Sequence, residues 1–142
     1  MPHQRALQYK PAAKPPKMKI VYIAHPIAGD VEGNLAHLRK IVRSFNLSPK
    51  YATSVPFVPY YMDCVAMDDN VPAERQRGLQ NGLAILSRKG MVDELMLTGN
   101  RISEGMKQEV FTAFKTGIPV SANDNLFPQL LQLKEEWQNQ HQ

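Results

Sequence analysis

The chain has 142 residues, of which 43% are hydrophobic, 21% charged and 8% aromatic, the balance of an ordinary globular domain and not of a disordered tail. A domain of this length buries roughly 70% of its unfolded surface, so its core requires neither a metal nor a disulfide. Its one cysteine, Cys64, excludes an internal bridge and a cysteine-based metal cluster and fits a reducing cytoplasm, and the longest apolar runs fall far short of the ~20 residues of a membrane span.

The formal charge of +4 is local. Arg5, Lys10, Lys14 and Lys17 lie in a segment without acids, which leaves 13 of the 17 basic residues against 13 acidic ones elsewhere. With Pro2, Pro11, Pro15 and Pro16 in the same stretch, residues 1–17 read as a flexible basic arm with no apolar signal segment. It is either a solubilising leader or a weak polyanion-binding element, and nucleic acid is not the expected partner. Residues 18–142 read as a single domain.

In chain order, Lys19-Ile20-Val21-Tyr22-Ile23-Ala24 is a continuous β-branched and aromatic run, as in a parallel strand covered on both faces. Leu35, Leu38, Ile41, Val42 and Phe45 share one helical face, and the pattern breaks over 46–51. Residues 55–58 read as a second strand bounded by prolines, followed by a loop over 59–70. Leu79, Leu83 and Leu86 mark a helix over 73–88. Residues 91–97 read as a third strand, 103–115 as a helix with Gly117 as its cap, 118–120 as a fourth strand and 126–138 as a last helix. Strands alternating with helices give a small doubly wound α/β sandwich with a parallel sheet. Phe111, Phe114 and Trp137, left as uncovered apolar surface, point to a homodimer or higher homo-oligomer.

Ligands of such sheets bind beyond the carboxyl ends of the strands, which directs attention to three loops. In His25-Pro26-Ile27-Ala28-Gly29-Asp30, a helix N-terminus follows a buried strand, an arrangement suited to a phosphate or sugar hydroxyl, with Asp30 as a possible N-cap. The second loop carries Tyr60, Tyr61, Asp63 and Cys64; the tyrosines offer either stacking faces for a base or rim packing, and Cys64 reads as a small buried hydrophobe. In the third, Glu109 follows Gly105 by four residues. A helical side chain leans over the preceding turn, so this carboxylate is expected above a position without a side chain. It could attack an anomeric carbon as a nucleophile, or it is a solvated helix residue. Ser103 is placed as an N-cap. Arg75, Arg77, Arg88 and Lys89 read as a solvated helix face, and Asn123, Asp124 and Asn125 either reach a site or start a helix.

The combination of Val21-Tyr22-Ile23-Ala24-His25-Pro26-Ile27-Ala28-Gly29 with Ile102-Ser103-Glu104-Gly105-Met106-Lys107-Gln108-Glu109 resembles the nucleoside 2-deoxyribosyltransferase superfamily over residues 19–120. The resemblance implies a flavodoxin-like three-layer sandwich and cleavage or exchange of the N-glycosidic bond of 2′-deoxynucleosides or their 5′-monophosphates. It implies no cofactor and no metal. The family's glutamate nucleophile falls on Glu109 and its first-strand tyrosine on Tyr22. The sugar- or phosphate-binding turn falls on Ile27 to Gly29, and the phosphate-binding serine close to Ser103. Two departures stand out. His25 and Pro26 replace small residues of the first turn, as ligand contacts or surface fillers. The segment before the third strand, Gln80-Asn81-Gly82-Leu83-Ala84-Ile85, holds no acid where relatives keep an aspartate, leaving Asp63, Asp68 or Asp69 as replacements. Without such a replacement, the alternative is a nucleotide-binding protein of the same fold that does not turn its ligand over.

Overall fold

The computed structural model describes residues 4–10, 12–13 and 17–141. Within the basic segment, residues 4–10, 12–13 and 17 are exposed and form neither helix nor strand; the rest of that segment lies outside the described residues. From Lys19 onward, β1 (Lys19–Ala24), β2 (Ser54–Phe57), β3 (Glu94–Leu97) and β4 (Val120–Ala122) alternate with α1 (Val31–Leu47), α2 (Pro59–Ala66), α3 (Pro72–Leu86), α4 (Glu104–Thr116) and α5 (Phe127–Gln140). The four strands are all parallel in the order β2-β1-β3-β4. This is a flavodoxin-like three-layer sandwich.

The continuous apolar run of β1 follows from its place inside the sheet. Val21 and Ile23 face α1, packing with Leu38 and Phe45. Tyr22 and Ala24 face the other layer, which Leu86 of α3, Met106 and Val110 of α4 and Leu130 of α5 fill. Both faces are therefore dry, and alternation disappears. The Asp30 carboxylate caps α1 by accepting from the Gly33 N–H at 3.1 Å, and a Cβ at Gly33 would run into that carboxylate.

Four expectations need correction. Residues 59–66 form α2, not a loop; Pro59 sits in its first turn, where a missing N–H costs nothing, and eight residues are too few to show helical periodicity. The third strand starts at Glu94, because the Asp93 carboxylate takes the Ile20 N–H in place of a backbone carbonyl. The fourth starts at Val120, because Gly117 (φ 86°) closes α4 with both its own N–H and that of Ile118 bonded to the Ala113 carbonyl, and Pro119 has no N–H to offer. Finally, Phe111, Phe114 and Trp137 are not an uncovered patch: Trp137 of α5 packs on both phenylalanines of α4, with centroids 5.7 and 6.0 Å apart. That reason for expecting an oligomer is therefore satisfied within one chain. Among the described residues, no helix is long and apolar enough to cross a membrane.

The loops after β1 and β3 meet through Gly99. It lies at φ 90°, and a Cβ there would stand 2.6 Å from Cδ of the buried Pro26. Gly99→Ala combines a left-handed backbone with a clash against a rigid ring, and should destabilise the chain by about 2–4 kcal/mol in a denaturant titration. A loss under about 0.5 kcal/mol, the range of a neutral surface change, would show that the two loops are not locked together there.

Candidate functional site

Above the carboxyl end of β1, the loops after β1 and β3, the helix α2 and the start of α3 enclose a cavity of about 530 Å³, within the range of small-molecule sites. Tyr22, His25, Ile27 and Gly29 line it from β1 and its loop, Asp63 from α2, and Ser103, Gly105 and Glu109 from α4. Eight of the ten residues expected from sequence thus share one wall system. The other two do not reach it. Pro26 is buried against Gly99. Tyr61 is one helical step from Tyr60, so it turns toward the α1 layer, where its hydroxyl accepts from Arg39 Nη1 at 3.1 Å. The aromatic ring that lines the cavity is that of Tyr60, whose hydroxyl donates to the Ile23 carbonyl at 2.7 Å.

The floor of the cavity is a buried pair. Glu109 is 7% exposed, and its Oε2 accepts a hydrogen bond of 2.5 Å from the hydroxyl of Tyr22, which is 0% exposed. Among the described residues the carboxylate has no other hydrogen-bond partner. Burial pushes the Glu109 carboxyl up to about 7, and the Tyr22 hydrogen bond only partly opposes it. Burial and the neighbouring carboxylate together push the Tyr22 phenol well above its ordinary range, so it stays protonated and remains the donor.

Sequence reasoning passed over the residue that makes room for this pair. A Cβ at Gly82 of α3 would stand 2.5 Å from the Tyr22 hydroxyl and 3.9 Å from Glu109 Oε2. The segment over 80–85 contributes space instead of an acid. The signal was a glycine in a helix interior, which costs about 1 kcal/mol relative to alanine and usually has a packing reason. At Gly105 the situation differs: a Cβ would make ordinary contacts of 3.6 Å with Leu79 and 4.0 Å with Ser103, so packing does not demand glycine there.

The remaining candidates separate into site walls and braces. His25 is held at both nitrogens: Nδ1 donates to the Pro26 carbonyl at 2.7 Å, and Nε2 lies 2.9 Å from His37 Nδ1. Burial lowers its pKa, so the neutral ring accepts from His37 and acts as a brace of the loop. Arg101 donates to the Ala28 carbonyl, Asn34 to the Ile27 carbonyl and Asn123 to the Gly99 carbonyl, tying the three strand-end loops together. The Ser103 hydroxyl caps α4 by accepting from the Met106 N–H at 3.2 Å. Asp63 accepts from Asn81 Nδ2 at 3.3 Å. Burial pushes the Cys64 thiol up to about 11, which removes it as a thiolate nucleophile. Arg75, read from sequence as part of a solvated face, lines the cavity while remaining exposed, and Asp69 lines it too. Among the described residues, no group of three or more His, Cys, Asp or Glu is placed to hold a metal ion.

The raised Glu109 pKa makes stability depend on pH with a definite sign. Between about 4.5 and about 7 the folded chain binds the Glu109 proton more tightly than the unfolded chain, so stability falls as pH rises. The carboxamide of Glu109→Gln imitates the protonated form. The variant should match the wild type at pH 4.5 and exceed it at pH 8 by on the order of 3 kcal/mol in urea unfolding. A difference that stays constant across this range would show that the carboxylate is not desolvated.

No curated protein matches the chain. A family model described as a domain of unknown function (DUF7768) matches residues 19–123, which include β1 to β4 and every residue of the Tyr22–Glu109 floor. The chain belongs to that family.

Proposed function

We propose that the chain cleaves or transfers the N-glycosidic bond of 2′-deoxynucleosides or their 5′-monophosphates, with Glu109 as the nucleophile. The observation that carries this reading is the buried carboxylate of Glu109 on the cavity floor, held at one oxygen by Tyr22 and without a partner at the other among the described residues. A carboxylate so placed has little to do for the fold, since its burial is unfavourable. It is suited to attack on an electrophilic carbon delivered by a ligand. The resemblance of the segments around Tyr22 and Glu109 to the nucleoside 2-deoxyribosyltransferase superfamily gives the electrophile: the anomeric C1′ of a deoxyribosyl group.

In the first step a Glu109 oxygen bonds to C1′ as the C1′–N bond breaks, and its electron pair leaves on the base, which takes up a proton. Asp63, on the cavity wall and fixed by Asn81, is the proposed proton donor and takes the place of the acid absent from residues 80–85. In the second step water or the N–H nitrogen of another base attacks C1′ as the C1′–O bond to Glu109 breaks, and the proton the attacker loses passes to Asp63, which restores both carboxyl groups. Tyr22 acts by positioning: its hydroxyl orients the carboxylate and favours the ionised form, while Tyr60 offers the base an aromatic face.

Chromatography of the full chain incubated with each common deoxynucleoside and its 5′-monophosphate tests the reading. The wild type should release or exchange base, and Glu109→Gln should lose roughly 10³-fold or more of that activity. Because the nucleophile must be ionised, kcat/KM should rise about tenfold per pH unit below a midpoint near 7. Tyr22→Phe removes the donor that favours the ionised form, so its rise should move to higher pH. No base release from a folded wild type, or equal turnover by Glu109→Gln, would overturn the assignment.

A further inference from the structure

The charges around the cavity are uneven in a way that bears on the ligand. Five carboxylates line it: Asp63, Asp69, Glu74, Glu104 and Glu109. Against them, among the described residues, stands one guanidinium, that of Arg75. Two nearby cations do not line the cavity: Arg101, which donates to the Ala28 carbonyl, and Lys107 of α4, which pairs with Glu136 at 3.3 Å. The His25 ring has both nitrogens engaged within the protein. That a ligand enters at all is indicated separately by Glu109, which is more than nine-tenths buried yet lines the cavity with one carboxylate oxygen unpartnered among the described residues.

We infer that the cavity selects an unphosphorylated deoxynucleoside over its 5′-monophosphate, an inference that rests on the proposed function of the same site. The counterargument is the N-terminus of α4, where free N–H groups and the dipole attract anions. Its size decides the matter: the dipole amounts to roughly half a charge, whereas Asp69, Glu74 and Glu104 outnumber Arg75 by two even with Asp63 and Glu109 left out of the balance. The first turn of α4 is also already served. Ser103 Oγ takes the Met106 N–H, and Glu104 places its own carboxylate there. A phosphate dianion entering this cavity would lose hydration and meet, among the described residues, the single guanidinium of Arg75 against three or more carboxylates, while a neutral nucleoside carries no charge for them to repel.

The test is isothermal titration calorimetry on the full-length Glu109→Gln chain, which prevents turnover, with the four common deoxynucleosides and their 5′-monophosphates in low salt. At least one nucleoside should bind tenfold or more tightly than its monophosphate. The gap should narrow in 0.5 M salt, where the screening length falls to a few ångströms. It should also narrow in a variant carrying Glu104→Gln and Asp69→Asn, two side chains without hydrogen bonds among the described residues. Monophosphates binding as tightly as nucleosides, or more tightly, would overturn the selectivity and leave the reading of the site standing. Binding by neither class would overturn the reading of the site, and the selectivity with it.

Discussion

Removing the Glu109 carboxylate from water is the constraint on which the upper end of the sheet depends. A carboxylate buried in an apolar layer loses hydration worth several kcal/mol, and the fold returns one strong hydrogen bond, from Tyr22. That bond needs three elements in register. β1 must present the tyrosine to the layer that α4 occupies. α4 must be capped at Ser103 and start at Glu104 so that Glu109 falls on its second turn. α3 must lack a side chain at Gly82, where the hydroxyl lies. The result is a carboxyl group with a pKa raised to about 7, neither a fixed ion nor a fixed acid.

Around this pair the loops are fixed by polar contacts more than by packing. The His25–His37 contact, Asn34 on the Ile27 carbonyl, Arg101 on the Ala28 carbonyl and Asn123 on the Gly99 carbonyl join the ends of β1, β3 and β4. Gly99 lets the first and third loops touch. Such a rim holds a preformed cavity while the core below carries the stability. A site with such walls can hold the proposed nucleophile in line without closing a lid.

Much of this was legible in the sequence because it follows from local rules. The β1 boundaries came from an uninterrupted apolar run, and α1 and α4 from helical spacing and caps; the Glu109 carboxylate was expected above Gly105 but lies by Gly82. What was hidden depended on tertiary placement. Helix α2 is too short to show a period, and nothing local distinguishes Tyr60, which enters the cavity, from Tyr61, which turns away. The strand ends at Glu94 and Val120 were set by side-chain and capping bonds that compete with the ladder. His25 was open between a ligand contact and a surface filler; it lines the cavity, and its second nitrogen meets His37, twelve residues away. Arg75 looked solvated because exposure and cavity lining coincide at a rim. Gly82 was in view but was read as the absence of an acid, when its function is to leave a space.

The central claim is that Glu109 forms a bond to the sugar. Rapid acid quenching of the wild-type chain during incubation with a deoxynucleoside, followed by proteolysis and mass spectrometry, addresses it directly. The account predicts one deoxyribosyl adduct on the peptide that carries Glu109, appearing before free base reaches its steady rate and absent from Glu109→Gln. Base release without any such adduct, or an adduct on another side chain, would contradict it.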